Sequence, residues 1–229
     1  MVFLTDNRAI TLYINTDTGR DILWRMEKYV GNVAYPRSEF LEISVTGRYT
    51  VAERVIGEPC LDKRRALYLA EELLGFAAQA QEMPRPEKYG HLDCTDYSDI
   101  RYHVQHGDAQ YYNVLWQDET HYKFIDFDMI DVYPAFYDFF YIILSEEGRG
   151  LEEFLNGYFD GKIADYMKSF GIKAPIEIYK DECMAAFLSV PGKFIPADQI
   201  ACRVIPPKYK KTWLVLAAGK NREKSAKRN

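Results

Sequence analysis

The chain has 229 residues, of which 48% are hydrophobic and 28% are charged, a composition typical of a globular protein with a sizeable core. Its formal net charge of −5 argues against a dedicated nucleic-acid binder. No apolar run approaches the roughly 20 residues that a membrane-spanning helix needs, and the four cysteines show no CxxC spacing typical of zinc sites. We therefore expect a cytoplasmic protein that binds neither nucleic acid nor membranes.

The N-terminal segment predicts a strand, a helix and two further strands. "RAITLYIN" (8–15) is rich in β-forming residues and is expected to turn at "TDTG", and residues 20–30 then carry apolar side chains at helical spacing. "EFLEISV" (39–45) and "YTVAERVI" (49–56) are separated by a short segment that contains "TGR", which predicts a β-hairpin.

The middle of the chain predicts a helix followed by short strands. "GEP" (57–59) supplies turn residues, and residues 62–83 form the clearest helical pattern in the sequence, with one continuous apolar face. "RYHV" (101–104) predicts a short strand. "NVLW" (113–116) and "YKFIDF" (122–127) predict a hairpin around the polar turn "QDET".

The C-terminal pattern is helical. Helices are predicted within residues 136–147, 151–171, 180–190 and 207–229, the last ending in a basic, solvated tail. Because most strands precede most helices, the sequence favours an α+β fold over a doubly wound sheet.

A stretch of polar residues in the middle of the chain has the composition of a phosphoryl-transfer site. In "VQHGDAQYYNVLW" an Asp is followed five residues later by an Asn, and Asp126 comes next within an apolar run. Phosphoryl transfer to an alcohol requires a carboxylate beside the hydroxyl and oxygen ligands for Mg²⁺. We expect Asp108 to act as the base and Asn113 and Asp126 to hold the metal, because the predicted hairpin brings the latter two together.

These motifs resemble those of a known family. "HGDAQYYN" matches the H-G-D-x-x-x-x-N loop, and "FIDFD" the I-D-[WF]-[ED] metal motif, of the aminoglycoside phosphotransferase and choline kinase group. "YPAFYDFFYIIL" is similar to the segment that follows in that family. The resemblance covers roughly residues 101 to 145 and extends to the hinge-like "VAERVIGEP". It implies a protein-kinase-like fold with an N-terminal lobe and hinge at 1–58 and a mostly helical lobe at 59–229.

The resemblance also implies an activity and a set of site residues. The activity is ATP- and Mg²⁺-dependent phosphoryl transfer to a small hydroxyl-bearing acceptor, such as an aminoglycoside, an amino alcohol or a sugar. The implied residues are the catalytic Asp108, the metal-binding Asn113, Asp126 and Asp128, the backbone of Glu53 and Val55 at the adenine, and the supporting residues His106 and Asp138.

The N-terminal lobe departs from the family pattern. The family has two strands joined by a phosphate-covering loop before the strand that bears a lysine, but only seven residues precede residues 8–15. Thr11 stands where that lysine is expected, and Glu27 is the candidate for the helix glutamate. Arg8 or Arg20 would have to substitute for the lysine.

Three interpretations follow from this departure. The chain is a fragment of a larger kinase, a short kinase that grips ATP differently, or a non-catalytic binding or regulatory protein with a kinase-like fold.

Overall fold

The computed structural model describes residues 1–59, 62–87, 100–139 and 152–173. The helices predicted at 180–190 and 207–229 lie outside these residues, as does most of the helix predicted at 136–147.

The N-terminal part is a four-stranded antiparallel sheet with one helix. Its elements are β1 (Val2–Leu4), β2 (Arg8–Leu12), α1 (Thr16–Tyr29), β3 (Phe40–Ile43) and β4 (Tyr49–Glu53), and the strand order is β1-β2-β4-β3. The predicted hairpin of β3 and β4 is confirmed, with Ile43 opposite Thr50.

Strand β1 was not predicted from the sequence. It pairs with β2 through Val2 opposite Thr11, and the backbone N–H and carbonyl of Leu12 both bond to Met1 at 2.8 and 2.9 Å. The residues before β2 therefore form one additional strand and not the two-stranded hairpin that the sequence analysis found missing. A three-residue strand suffices because its antiparallel neighbour supplies the hydrogen-bond partners.

Helix α1 begins earlier than the sequence pattern predicted. The side chain of Asn15 accepts hydrogen bonds from the N–H groups of Asp17 at 3.0 Å and Thr18 at 3.3 Å, which makes it the N-cap. The predicted turn at "TDTG" is therefore wrong, and these residues form the first turn of α1. Ser, Thr, Asp and Asn favour turns and helix starts for the same reason, since their side chains bond to nearby backbone groups.

The rest of the described chain contains two small sheets and two helices. Its elements are β5 (Glu58–Pro59), α2 (Lys63–Gln79), β6 (Tyr102–Gln105), β7 (Val114–Trp116), β8 (Tyr122–Phe124), β9 (Asp131–Pro134) and α3 (Glu152–Ser169). The antiparallel sheets are β5-β7-β8 and β6-β9. The predicted helices at 62–83 and 151–171, the strand at 101–104 and the hairpin around "QDET" are confirmed, with shifted ends.

Strands β5 and β9 were missed by the sequence analysis. The "GEP" predicted as a turn supplies β5, whose Glu58 lies opposite Trp116. Strand β9 comes just before the region predicted to be helical and pairs with β6 through Val132 opposite Val104.

An aromatic core and an ion pair join the two parts of the molecule. The ring of Tyr35 lies 5.1 Å from that of Phe124, whose backbone N–H donates to the Pro36 carbonyl at 2.8 Å. In the ion pair, Lys123 Nζ lies 2.7 Å from Glu53 Oε2.

The architecture is α+β, as predicted. None of the helices in the part of the chain described here combines the length and apolarity needed to cross a membrane.

The N-cap of α1 gives a test of this fold. Replacing Asn15 with Ala should lower the free energy of unfolding by about 1 kcal/mol, because two N–H groups of the first turn lose their acceptor. Urea unfolding measures this change. Asn15→Asp retains an acceptor and should stay within a few tenths of a kcal/mol of the parent. An equal loss in both variants would contradict the capping assignment.

Candidate functional site

A buried carboxylate holds the loop that carries Asp108. Asp138 is 1% exposed and accepts hydrogen bonds from the N–H of His106 at 2.8 Å, the N–H of Gly107 at 3.0 Å and the Tyr35 hydroxyl at 2.9 Å. Burial raises the pKa of Asp138 to about 6, against the opposing effect of these hydrogen bonds. The backbone of the loop is thus fixed from behind by one side chain.

The glycine of this loop is required by its geometry. Gly107 has a φ of 80°, and a Cβ at this position would lie 2.3 Å from the Met129 carbonyl oxygen and 2.5 Å from the Tyr133 hydroxyl. Both the left-handed backbone and the close approach exclude a larger residue.

His106 links this loop to the segment that ends in Asp126. The imidazole is fully buried, and its Nδ1 lies 3.1 Å from the N–H of Asp108, so Nδ1 is the acceptor. Nε2 therefore carries the proton and donates to the Ile125 carbonyl at 2.7 Å. The ring also packs 4.5 Å from that of Phe127. His106 is thus bonded to the backbone carbonyl of the residue before Asp126.

Asn113 is held against Asp108 and the residue before Asp126. It is 3% exposed, its Nδ2 donates to the Asp108 carbonyl at 2.9 Å, and its own carbonyl accepts from the N–H of Ile125 at 3.0 Å. The carboxylate of Asp108 accepts from Gln110 Nε2 at 2.6 Å. Because the bond to Asp108 uses the amide nitrogen, the amide oxygen of Asn113 is the atom suited to a cation.

Asp126 is not a strand residue, contrary to the sequence interpretation. Strand β8 ends at Phe124, and Asp126 has φ 61° and ψ 68°, a left-handed conformation that ends the strand. Such a conformation in a non-glycine residue costs on the order of 1–3 kcal/mol and persists where the surrounding structure requires it. The residue is exposed and lines a cleft.

Asp128 is held by two residues that the sequence analysis did not identify. Its Oδ1 accepts from the Tyr13 hydroxyl at 2.6 Å, and its carbonyl accepts from Arg25 Nη2 at 3.2 Å. Burial raises the pKa of this carboxyl, the Tyr13 hydrogen bond and the positive charge of Arg25 oppose that rise, and the charge of Asp108 adds to it.

These groups surround a cleft of about 600 Å³ between the N-terminal sheet and the loops of the second part. The cleft is lined by five of the site residues predicted from the sequence: Glu53, Val55, Asn113, Asp126 and Asp128. His106 and Asp138 support the cleft from the interior, and Asp108 adjoins it through its bond to Asn113.

The cleft contains little positive charge. Among the side chains that line it in the described part of the chain, Arg54 alone is basic, and its guanidinium donates to the Thr5 carbonyl at 2.8 Å. The expected substitutes for the strand lysine do not line the cleft: Arg8 is exposed, and Arg20 is exposed and lies 4.0 Å from Asp17. Thr11 does line it.

The oxygen groups at the cleft fit Mg²⁺. Asn113, Asp126 and Asp128 offer hard oxygen ligands, and the described residues contain no group of three or more His, Cys, Asp or Glu that would form an all-protein metal cage. Mg²⁺ is commonly held by one or two carboxylates, with substrate phosphates and water completing the shell.

Comparisons with known proteins place the chain in a family. The model of the phosphotransferase enzyme family matches residues 47–169, more than half of the chain, so the chain belongs to that family. A comparison with the curated proteins gives no match.

Two solved structures share the fold. The GDP and kanamycin complex of APH(2")-IIia is similar with a TM-score of 0.53 and 13% identity, over 82% of this chain and 79% of that one. The GDP complex of wild-type aminoglycoside 2'-phosphotransferase-IIIa gives a TM-score of 0.52 and 12% identity, over 97% and 89% of the two chains. The fold of this protein is thus protein-kinase-like, as expected.

The buried carboxyl behind the loop predicts a pH dependence of stability. Because the pKa of Asp138 rises from 3.8 to about 6 on folding, the folded state binds this proton more tightly than the unfolded chain. Its contribution to stability is full below about pH 4 and is lost as the pH rises through 6. A rise of this size corresponds to up to about 3 kcal/mol.

Urea unfolding of the protein and of Asp138→Asn across this pH range tests the prediction. The difference in free energy of unfolding, parent minus variant, should decrease between pH 4 and 6. Burial lowers the pKa of His103 to about 4, so His103 contributes to stability with the opposite pH dependence. This contribution is the same in both proteins and cancels in the difference. A difference that stays constant with pH would contradict the assignment.

Proposed function

We propose that this protein is an ATP- and Mg²⁺-dependent phosphotransferase that acts on a hydroxyl group of a small molecule, such as an aminoglycoside, an amino alcohol or a sugar. The observation that carries the proposal is the convergence of Asn113 and Asp126 on one cleft, with Asp108 bonded beside them, in a chain of the phosphotransferase enzyme family. One similar structure is a complex with GDP and kanamycin, and another is a complex with GDP, which supports a nucleotide and a small-molecule acceptor.

Asp108 is the group that we assign to the acceptor. Its carboxylate orients the acceptor hydroxyl and takes the proton as the oxygen attacks the γ-phosphorus of ATP. The new oxygen–phosphorus bond forms as the bond between the γ-phosphorus and the bridging oxygen breaks, and ADP leaves with that electron pair. Gln110 holds one carboxylate oxygen of Asp108 through a hydrogen bond of 2.6 Å, which fixes the direction of the other.

Asn113 and Asp126 are assigned to the metal, with Asp128 as a third oxygen ligand. When bound by these residues, Mg²⁺ would supply positive charge that offsets the negative charge of the phosphates. The left-handed backbone at Asp126 directs its carboxylate to the cleft instead of into the strand pleat.

The adenine is assigned to the hinge end of the cleft. Glu53 and Val55 both line this part. The N–H of Glu53 already donates to the Glu39 carbonyl at 2.8 Å, so we assign the base contacts to the Glu53 carbonyl and the Val55 backbone. The carboxylate of Glu53 is held 2.7 Å from Lys123 Nζ, which fixes the hinge to β8.

A second candidate is a kinase-like protein that binds nucleotide without transferring phosphate. The observation that favours it is Thr11, which lines the cleft where the family has a lysine. Transfer and binding are separate measurements, so the two candidates make different predictions.

The metal assignment is tested with Asp126→Asn. Asn tolerates the left-handed conformation, so this change removes the charge and adds no backbone strain. Calorimetry with Mg·ATP should show about 10- to 100-fold weaker binding, while binding of ATP in EDTA should be unchanged.

Asp118→Asn is the control for this measurement, because Asp118 lies in the exposed turn between β7 and β8. Unchanged Mg·ATP affinity in Asp126→Asn would exclude Asp126 as a metal ligand.

The catalytic assignment is tested with Asp108→Asn. Loss of the base should lower acceptor-dependent ADP release by about 10²- to 10⁴-fold, with Mg·ATP affinity retained. The acceptors are a panel of one aminoglycoside, one amino alcohol and one sugar, and the control is Asp165→Asn, an exposed residue of α3. If the parent binds Mg·ATP but no compound on a wider panel of hydroxyl acceptors causes ADP release, the non-catalytic candidate is favoured. Undiminished turnover in Asp108→Asn would refute its role as base.

A further inference from the structure

One residue of the N-terminal sheet reaches across the cleft to the metal motif. Tyr13 directly follows β2, and its side chain lines the cleft on the same face as Ala9 and Thr11. Its hydroxyl donates to Asp128 Oδ1 at 2.6 Å. The backbone N–H of Tyr13 donates to the Arg48 carbonyl at 2.8 Å, so the residue is anchored to the end of the sheet.

A second residue reaches the same turn from helix α1. Arg25 donates through Nη2 to the Asp128 carbonyl at 3.2 Å, and its Nη1 lies 4.0 Å from Asp131 Oδ2. The same guanidinium lies 3.4 Å from Asp21 on its own helix, and the side chain is 15% exposed. A planar guanidinium with several donors suits a bridge of this kind.

The turn that these residues hold is also supported from the interior of the protein. Residues 127–129 form one short 3₁₀ turn after the left-handed Asp126, closed by a bond from the N–H of Ile130 to the Phe127 carbonyl at 3.0 Å. Phe127 is fully buried, and the Tyr133 hydroxyl donates to the Met129 carbonyl at 2.8 Å, so both anchor the turn from the interior. At the cleft, Tyr13 and Arg25 contact Asp128.

We propose that Tyr13 is a positioning residue for the metal motif and that Arg25 helps to position the same motif from helix α1. Tyr13 fixes the carboxylate of Asp128, and Arg25 fixes its backbone, so the strand and the helix of the N-terminal part together set the direction of the acidic groups. This inference rests on the proposed function, because its consequence is a metal–nucleotide site that depends on a tyrosine outside the loop motifs.

Tyr13→Phe removes only the hydroxyl, and its matched control is Tyr49→Phe. Tyr49 lies on β4 of the same sheet and donates its hydroxyl to Glu42 at 2.5 Å, away from the cleft. By calorimetry, Tyr13→Phe should weaken Mg·ATP binding about tenfold and leave ATP binding in EDTA unchanged. Tyr49→Phe should change neither affinity.

A double-mutant cycle tests whether the hydroxyl acts through Asp128. In an Asp128→Ala background the effect of Tyr13→Phe on Mg·ATP affinity should largely disappear, because the two changes remove the same interaction. An effect of equal size in both backgrounds would overturn the proposal, and so would an unchanged affinity in Tyr13→Phe alone.

Amide hydrogen exchange supplies a measurement that needs no nucleotide. Tyr13→Phe should speed the exchange of the amides of residues 126–130, and Tyr49→Phe should not. If exchange is unchanged, the positioning role of Tyr13 is refuted even where the unaltered protein binds Mg·ATP as proposed. If the unaltered protein fails to bind Mg·ATP, the proposed function and the positioning role are both refuted, whatever the exchange result.

Discussion

The three hydrogen bonds to the buried carboxylate of Asp138 are the interaction on which the rest of the site depends. A buried charge is costly unless hydrogen bonds compensate it, and here two of the donors are the backbone N–H groups of His106 and Gly107. The carboxylate therefore sets the conformation of the loop that presents Asp108. His106 extends the constraint to the Ile125 carbonyl, one residue before Asp126. Asp108 and Asp126, the proposed base and the proposed metal ligand, are thereby both connected to one buried group.

The proximity of Asp108, Asn113 and Asp126 could be predicted from sequence because their pattern is local. Asp108 and Asn113 lie in one loop, and Asp126 comes two residues after the second strand of a short hairpin that begins next to Asn113. Tyr13 and Arg25 could not be predicted in this way. Their bonds to Asp128 join residues 115 and 103 positions apart, and no periodicity connects such partners.

The fold was predicted where its elements are long and periodic, as in α2 and α3. Strands β5 and β9 contain two and four residues and are defined by pairing with distant partners, Glu58 with Trp116 and Val132 with Val104. Such short segments have no pattern of their own. The start of α1 was missed for a different reason, since residues that cap helices also favour turns. The left-handed conformation of Asp126 is set by the tertiary structure and has no sequence signal in a non-glycine residue.

The cleft is lined by apolar residues of the strands and, at one end, by acidic residues. Its described lining residues carry little basic charge. On the proposed function, the charge of the phosphates is therefore balanced chiefly by metal at Asn113 and Asp126. The most direct test is anomalous diffraction from crystals grown with Mn²⁺ and a non-hydrolysable ATP analogue. We predict a manganese peak within coordination distance of the Asn113 amide oxygen and of an Asp126 carboxylate oxygen. A nucleotide bound in the cleft with its metal away from both residues would contradict it.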